Sequence, residues 1–167
     1  SGDFRDDSGI YFSIGEFTSL FDVDSNMINF NKLPNVNLYA SSFAGGASGY
    51  PIMFDNYSIN ERKQIIQKDL SFNKLQKFQM IKEINPNYFI PYAGFFEEKL
   101  ERDKMIKKLN KKNKIEDYKK VCETNKTSLL NVLENDEYIF QGINLIRSAK
   151  NKKKYFKDLS PKKYLKF

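Results

Sequence analysis

The sequence predicts an α/β fold with helices packed on a sheet. Two neighbouring apolar runs near the start, at residues 10–14 and 17–23, read as strands. A third run, at 38–43, leads into a glycine-rich segment. A long helical stretch behind a capping signal then leads into a short apolar run at 88–92. Strands, a helix and a further strand in that order favour helices laid on a sheet.

Each element has its own local reason. Ile10–Ile14 and Phe17–Val23 are rich in β-branched and aromatic residues, and Gly15-Glu16 between them suits a tight hairpin turn. Leu38–Phe43 follows Pro34-Asn35 and precedes Ala44-Gly-Gly-Ala-Ser-Gly-Tyr-Pro51, whose three glycines in five positions cannot hold a regular element. Ser58-Ile-Asn-Glu61 matches the S-x-x-E capping box. Behind it Ile66, Leu70, Leu75, Phe78 and Ile81 fall near one helical stripe, and Asn85-Pro86 should stop the helix. Tyr88–Tyr92 reads as a buried strand turned by Ala93-Gly94. A short basic helix is expected over Asp103–Asn110, with a polar break at Lys111–Lys114. Ile115, Tyr118, Cys122, Leu129 and Leu133 recur at spacings that predict a second long helix. Two short strands are expected between Tyr138 and Ile146 around Gly142. The domain is expected to end at residue 147, and 148–167 to form a basic tail containing aromatics.

The chain has 167 residues, about the size of one domain, with fifteen Phe and ten Tyr to supply core area. Residues 1–60 hold seven acidic residues (Asp3, Asp6, Asp7, Glu16, Asp22, Asp24, Asp55) and two basic ones (Arg5, Lys32). They therefore carry −5 of a net +7, and the remainder carries +12. Such a back half suits an anionic partner or a merely solvated lysine-rich surface. The single cysteine, Cys122, excludes an internal disulfide and favours a reducing, cytoplasmic setting. No apolar run approaches the roughly 20 residues that span a bilayer, so no membrane partner is expected. The polar start, Ser1-Gly2-Asp3, shows no signal peptide.

One segment carries a family likeness. Ser42-Phe-Ala-Gly-Gly-Ala-Ser-Gly-Tyr-Pro51 resembles the "DFAGGASGFP" segment of CMP-N-acetylneuraminate hydroxylases over ten positions, departing at Ser42 and Tyr50. Pro91-Tyr-Ala-Gly-Phe-Phe96 is similar to that family's "PFAGYF", Phe21-Asp-Val-Asp-Ser25 to its "TVDC", and Lys107–Asn113 to its "KETNTKN". The likeness runs from about Ser8 to Asn113. It implies a metallo-β-lactamase-like αββα domain, or its C-terminal half, usually behind a Rieske iron–sulfur domain. It also implies an oxidoreductase that hydroxylates the N-acetyl group of CMP-sialic acid, with electrons delivered through cytochrome b5.

The ligand chemistry of this chain departs from that pattern. A Rieske centre needs two Cys and two His, and the metallo-β-lactamase fold holds iron or zinc largely through histidines. The chain has one Cys and no His, so no cofactor is expected within it, and it is expected to be inactive by itself. The resemblance assigns Asp24 as a metal-bridging carboxylate only if the other ligands come from outside this chain. The plainer reading is a strand-end cap. Asp22 shares its side of the strand, so the two carboxylates would either repel or share a hard cation.

The same resemblance directs a nucleotide-sugar or other phosphorylated ligand to Gly45, Gly46, Ser48 and Gly49, whose backbone N–H groups could cradle a phosphate. The alternative there is a structural turn. Tyr92 is expected either to face that pocket or to join the core with Phe89, Phe95 and Phe96. Cys122 is expected to be a small buried hydrophobe. An exposed half-sheet would call for an N-terminal half or a homodimer. The rival function is a basic binding or scaffold module for nucleic acid or an acidic protein surface, a less favoured partner class.

Overall fold

A computed structural model describes residues 9–22, 32–45, 49–94, 98, 100–132 and 136–149. Five strands form one mixed sheet in the order β1 (Ile10–Ile14), β2 (Phe17–Asp22), β3 (Leu38–Ser42), β4 (Tyr88–Ala93), β5 (Ser128–Leu129). β1 and β2 form an antiparallel hairpin, and β2 to β5 run parallel. The 26-residue helix α1 (Ile59–Ile84) makes the crossover from β3 to β4. Two short helices, α2 (Lys104–Leu109) and α3 (Lys119–Thr124), follow. A separate hairpin, β6 (Glu137–Gln141) with β7 (Asn144–Ala149), closes the described chain.

Register explains the core. Leu20, Tyr39, Phe89 and Leu129 sit side by side across β2 to β5, so the two-residue period turns all four to one face. Leu20, Tyr39 and Phe89 are buried there with Met80 and Ile81 of α1 and Tyr118, Val121 and Cys122 near α3. On the opposite face Phe140 of β6 packs against Phe17 and Tyr88 at ring distances of 4.7 and 5.1 Å. All five residues of β1 are exposed at the sheet's edge.

α1 starts and stops where its local chemistry directs. Ser58 Oγ accepts from the Glu61 N–H at 3.3 Å, and Glu61 accepts from the Ser58 N–H at 2.7 Å, completing the capping box. At the other end Asn85 turns left-handed before Pro86. The expected stripe is modified, however. Ile66 and Ile81 are buried, but Leu75 is 63% exposed, and Lys77 points inward instead.

The second long helix is not formed. Residues Ile115–Tyr118 make a tight 3-10 turn and α3 ends at Thr124. The Lys126 N–H donates to the Glu123 carbonyl at 3.2 Å, and the Thr127 N–H to the Cys122 carbonyl at 2.9 Å. With Lys126 at φ 56°, this is a Schellman stop without its usual glycine. Beyond it Ser128 and Leu129 are drawn into β5 as the Ser128 N–H donates to the Asn87 carbonyl and the Leu130 N–H to the Phe89 carbonyl. Long-range strand pairing has thus overridden the helical spacing. Leu133 and Val23 lie outside the described residues, as does 150–167 of the expected tail. Ser148 and Ala149 belong to β7.

Candidate functional site

The parallel strands β2, β3 and β4 bring their carboxyl ends to one edge of the sheet, where α/β proteins commonly bind ligands. Asp22 ends β2, the glycine segment follows β3, and Tyr92 and Gly94 end β4.

Asp22 is fully buried on the helix face. Its Oδ2 accepts from Lys77 Nζ at 3.1 Å, Tyr39 Oη at 3.0 Å and Ser41 Oγ at 3.4 Å. Lys77 is itself buried, so a buried charge is met by a buried countercharge. Its Oδ1 has no partner among the described residues. Burial, and then the neighbouring Asp22 charge, push the Tyr39 phenol well above its usual range, which keeps Tyr39 a hydrogen-bond donor. The partner the described residues give Asp22 is Lys77 of α1. Asp24 lies outside the described residues.

Gly45 has φ +68°, and a Cβ there would come within 3.1 Å of Asn73 Nδ2 and 3.6 Å of Leu70 Cδ2 on α1. The sheet edge therefore meets the helix here through backbone alone. Gly94, at φ +120°, lies against Ala44, and the Phe43 N–H donates to the Ala93 carbonyl at 3.2 Å. Gly49 packs beside Met53. Gly46 and Ser48 lie outside the described residues, as do Phe95 and Phe96. Tyr92 is half-buried, with its ring 6.0 Å from Phe21 on the face away from α1. The structure therefore joins Gly45 to α1 and places Tyr92 on the other side of the sheet.

The 110–114 segment buttresses the same edge. The Asn113 N–H donates to the Ala44 carbonyl at 2.9 Å, and its Nδ2 to the Leu70 carbonyl at 3.1 Å. Buried Glu98 accepts from Asn110 Nδ2 at 3.1 Å and pairs with Lys112 at 3.4 Å. Burial by itself would raise the Glu98 carboxyl. Its own backbone N–H, Asn110 and Lys112 outweigh that and hold it below its ordinary value.

Between α1 and this segment lies a groove with two lobes. One is a cavity of about 250 Å³ lined by Ile66, Asp69, Leu70, Phe72, Asn73, Asn110 and Lys111. The other, about 260 Å³, is lined by Lys63, Ile66, Gln67, Lys108, Leu109 and Lys111. Ile66 and Lys111 border both, and Leu70 and Asn73 of the first lobe are the residues that touch Gly45.

The donors described here do not fit iron or zinc. The chain has no histidine, Asp22 is committed to Lys77, and the Cys122 thiol is buried and pushed up to about 11 by burial, with Glu123 adding to it. Among the described residues no group of three or more Cys, Asp or Glu is placed to hold a metal ion. No described helix is long and apolar enough to cross a membrane.

Sequence reasoning missed the Asp22–Lys77 pair, Glu98 and the groove. The only sequence signal for the pair was a lysine eleven positions beyond Ile66, which is three helical turns along the same face.

Known proteins resemble part of the chain. Over 94 residues it is 42% identical to the cytidine monophosphate-N-acetylneuraminic acid hydroxylase of Xenopus laevis and 38% identical to that of Mus musculus. Each match covers 54% of this chain and 16% of the relative. The inactive form of that hydroxylase from Homo sapiens is 37% identical over 94 residues, covering 54% of this chain and 19% of the relative. The chain thus spans about one sixth of the length of the curated relatives it matches. No protein-family model matches it, and no solved structure matches it.

Proposed function

We propose that this chain is the nucleotide-sugar-recognising part of a hydroxylase-like protein, with the metal and electron-transfer groups supplied from outside it. In this reading it is a metallo-β-lactamase-like half-domain, with α1 covering one face of the sheet. The Xenopus laevis and Mus musculus relatives are hydroxylases of cytidine monophosphate-N-acetylneuraminic acid by name, and a ligand of that class needs a phosphate contact beside a polar cleft. The observation that carries the reading is the placement of Gly45. It sits at the carboxyl edge of the parallel strands, in a left-handed conformation, against Leu70 and Asn73 of the first lobe. With no side chain in the way, the Gly45 backbone leaves that edge open to the ligand. This chain's own role is to bind and orient. The absence of histidine leaves oxygen activation to donors it does not contain.

Calorimetric titration with CMP and CMP-sialic acid tests the reading. The expected result is saturable binding of both, weakened about tenfold or more by Gly45→Val, whose side chain would meet Asn73 and Leu70. No heat from either ligand at concentrations up to several millimolar would refute it.

A further inference from the structure

We infer that the second lobe of the groove, walled by Lys63, Lys108 and Lys111, holds the phosphoryl group of the ligand. The first lobe, beside Gly45, then takes its uncharged polar end. This inference rests on the ligand class proposed above and adds the place and direction in which such a ligand lies.

Charge placement carries it. Lys63 comes from α1, Lys108 from α2 and Lys111 from the segment after it, so three cations from separate elements border one cavity. None of the three has a carboxylate within 4.0 Å among the described residues, whereas the nearby Lys112 is paired with Glu98. Like charges gathered with no carboxylate beside them among the described residues repel one another, and a bound dianion turns that repulsion into attraction. The three lysines are exposed, and apolar Ile66 and Leu109 form the rest of this lobe's wall with Gln67. Gln67 adds an amide that can donate to a phosphoryl oxygen.

The other lobe balances its one cation, Lys111, with a carboxylate. It contains Asp69, the one acidic residue bordering either cavity among the described residues, together with Asn73 and Asn110. A carboxylate there disfavours phosphate and favours hydroxyl or amino donors. Lys63 and Lys108 border the second lobe alone, whereas Lys111 borders both and stands in the first with Asp69.

The test uses the whole chain and four probes: inorganic pyrophosphate, CMP, CMP-sialic acid and cytidine. Each is titrated into the parent chain, into the Lys108→Glu/Lys111→Glu variant, and into Lys120→Glu. Lys120 is exposed on α3 and borders neither lobe. Urea midpoints matched to the parent chain establish that the variants are folded. Pyrophosphate and CMP should bind the parent chain at least tenfold more tightly than cytidine. The double reversal should weaken both by tenfold or more, and Lys120→Glu should change neither by more than about twofold. Unchanged pyrophosphate affinity in the double variant would overturn the inference. So would an equal loss in Lys120→Glu, which would mean attraction by net charge alone. If CMP-sialic acid binds and the lysine changes leave it untouched, the nucleotide-sugar reading stands and the groove assignment falls. If pyrophosphate binds through the lysines while CMP and CMP-sialic acid do not, the anion site stands and the nucleotide-sugar reading falls.

Discussion

Replacing Lys77 by methionine removes the cation beside Asp22 while keeping most of the volume its stem fills. Asp22 has no exposed surface, the Lys77 side chain is 5% exposed, and the two meet at 3.1 Å. Removing one member of a buried pair typically costs about 3–5 kcal/mol, because the other charge stays buried without its partner. Hydrogen bonds from Tyr39 and Ser41 would still hold Oδ2, which favours the lower half of that range. The unpartnered Oδ1 favours the upper half, so we expect about 4 kcal/mol. Urea unfolding followed by far-ultraviolet circular dichroism reads this directly. With a slope of about 2 kcal/mol per molar, the midpoint should fall by about 2 M. The double variant Asp22→Asn/Lys77→Met has no charge to strand and should recover to within about 1 kcal/mol of the parent chain. A loss below about 1 kcal/mol for Lys77→Met would refute the reasoning. So would a double variant as unstable as the sum of its singles.

Four further outcomes follow from particular contacts. Gly94→Ala sets a methyl against Ala44 at φ +120° and should cost more than about 2 kcal/mol by urea unfolding; adding Ala44→Gly should recover part of it, the backbone strain remaining. Lys126→Gly relieves a left-handed lysine at the end of α3 and should raise the urea-derived stability by about 1 kcal/mol. With its thiol pushed up to about 11, Cys122 should be alkylated by iodoacetamide at pH 8 about 100-fold more slowly in the folded chain than in 6 M guanidinium. The Glu98 carboxyl is held low in the folded state. Its stabilising contribution is therefore complete above the ordinary carboxylate value of about 4.3 and is lost as pH falls through the lower folded value. Glu98→Gln lacks that dependence, so its melting temperature should fall less than that of the parent chain below pH 4.3.

Local chemistry made much of the fold legible. The Gly15-Glu16 turn, the Ser58–Glu61 capping box and the Pro86 stop each act within a few residues, and all three mark real boundaries. Gly45 and Gly49 were legible as non-regular positions because several glycines cannot sustain a strand or a helix. Cys122 was legible as a buried hydrophobe, which its 1% exposure bears out. The end of α3 was hidden because Lys126 occupies a conformation that sequence reading reserves for glycine or asparagine.

What only tertiary structure decided are the pairings of distant residues. Lys77 turns inward and Leu75 outward because Asp22, 55 positions earlier, places a buried carboxylate beside α1. Leu129 leaves its helical spacing because β4 offers an open parallel edge. Tyr92 parts from Gly45 because the sheet's two-residue period sends it to the Phe21 face. The groove exists because the 108–111 segment comes to lie along α1, more than forty residues later in the chain. Turns, caps and breaks are set by short-range sterics and hydrogen bonds, which residue order encodes directly. Ion pairs, strand partners and cavities depend on which surfaces meet once the apolar faces are buried, and residue order alone leaves many such meetings open.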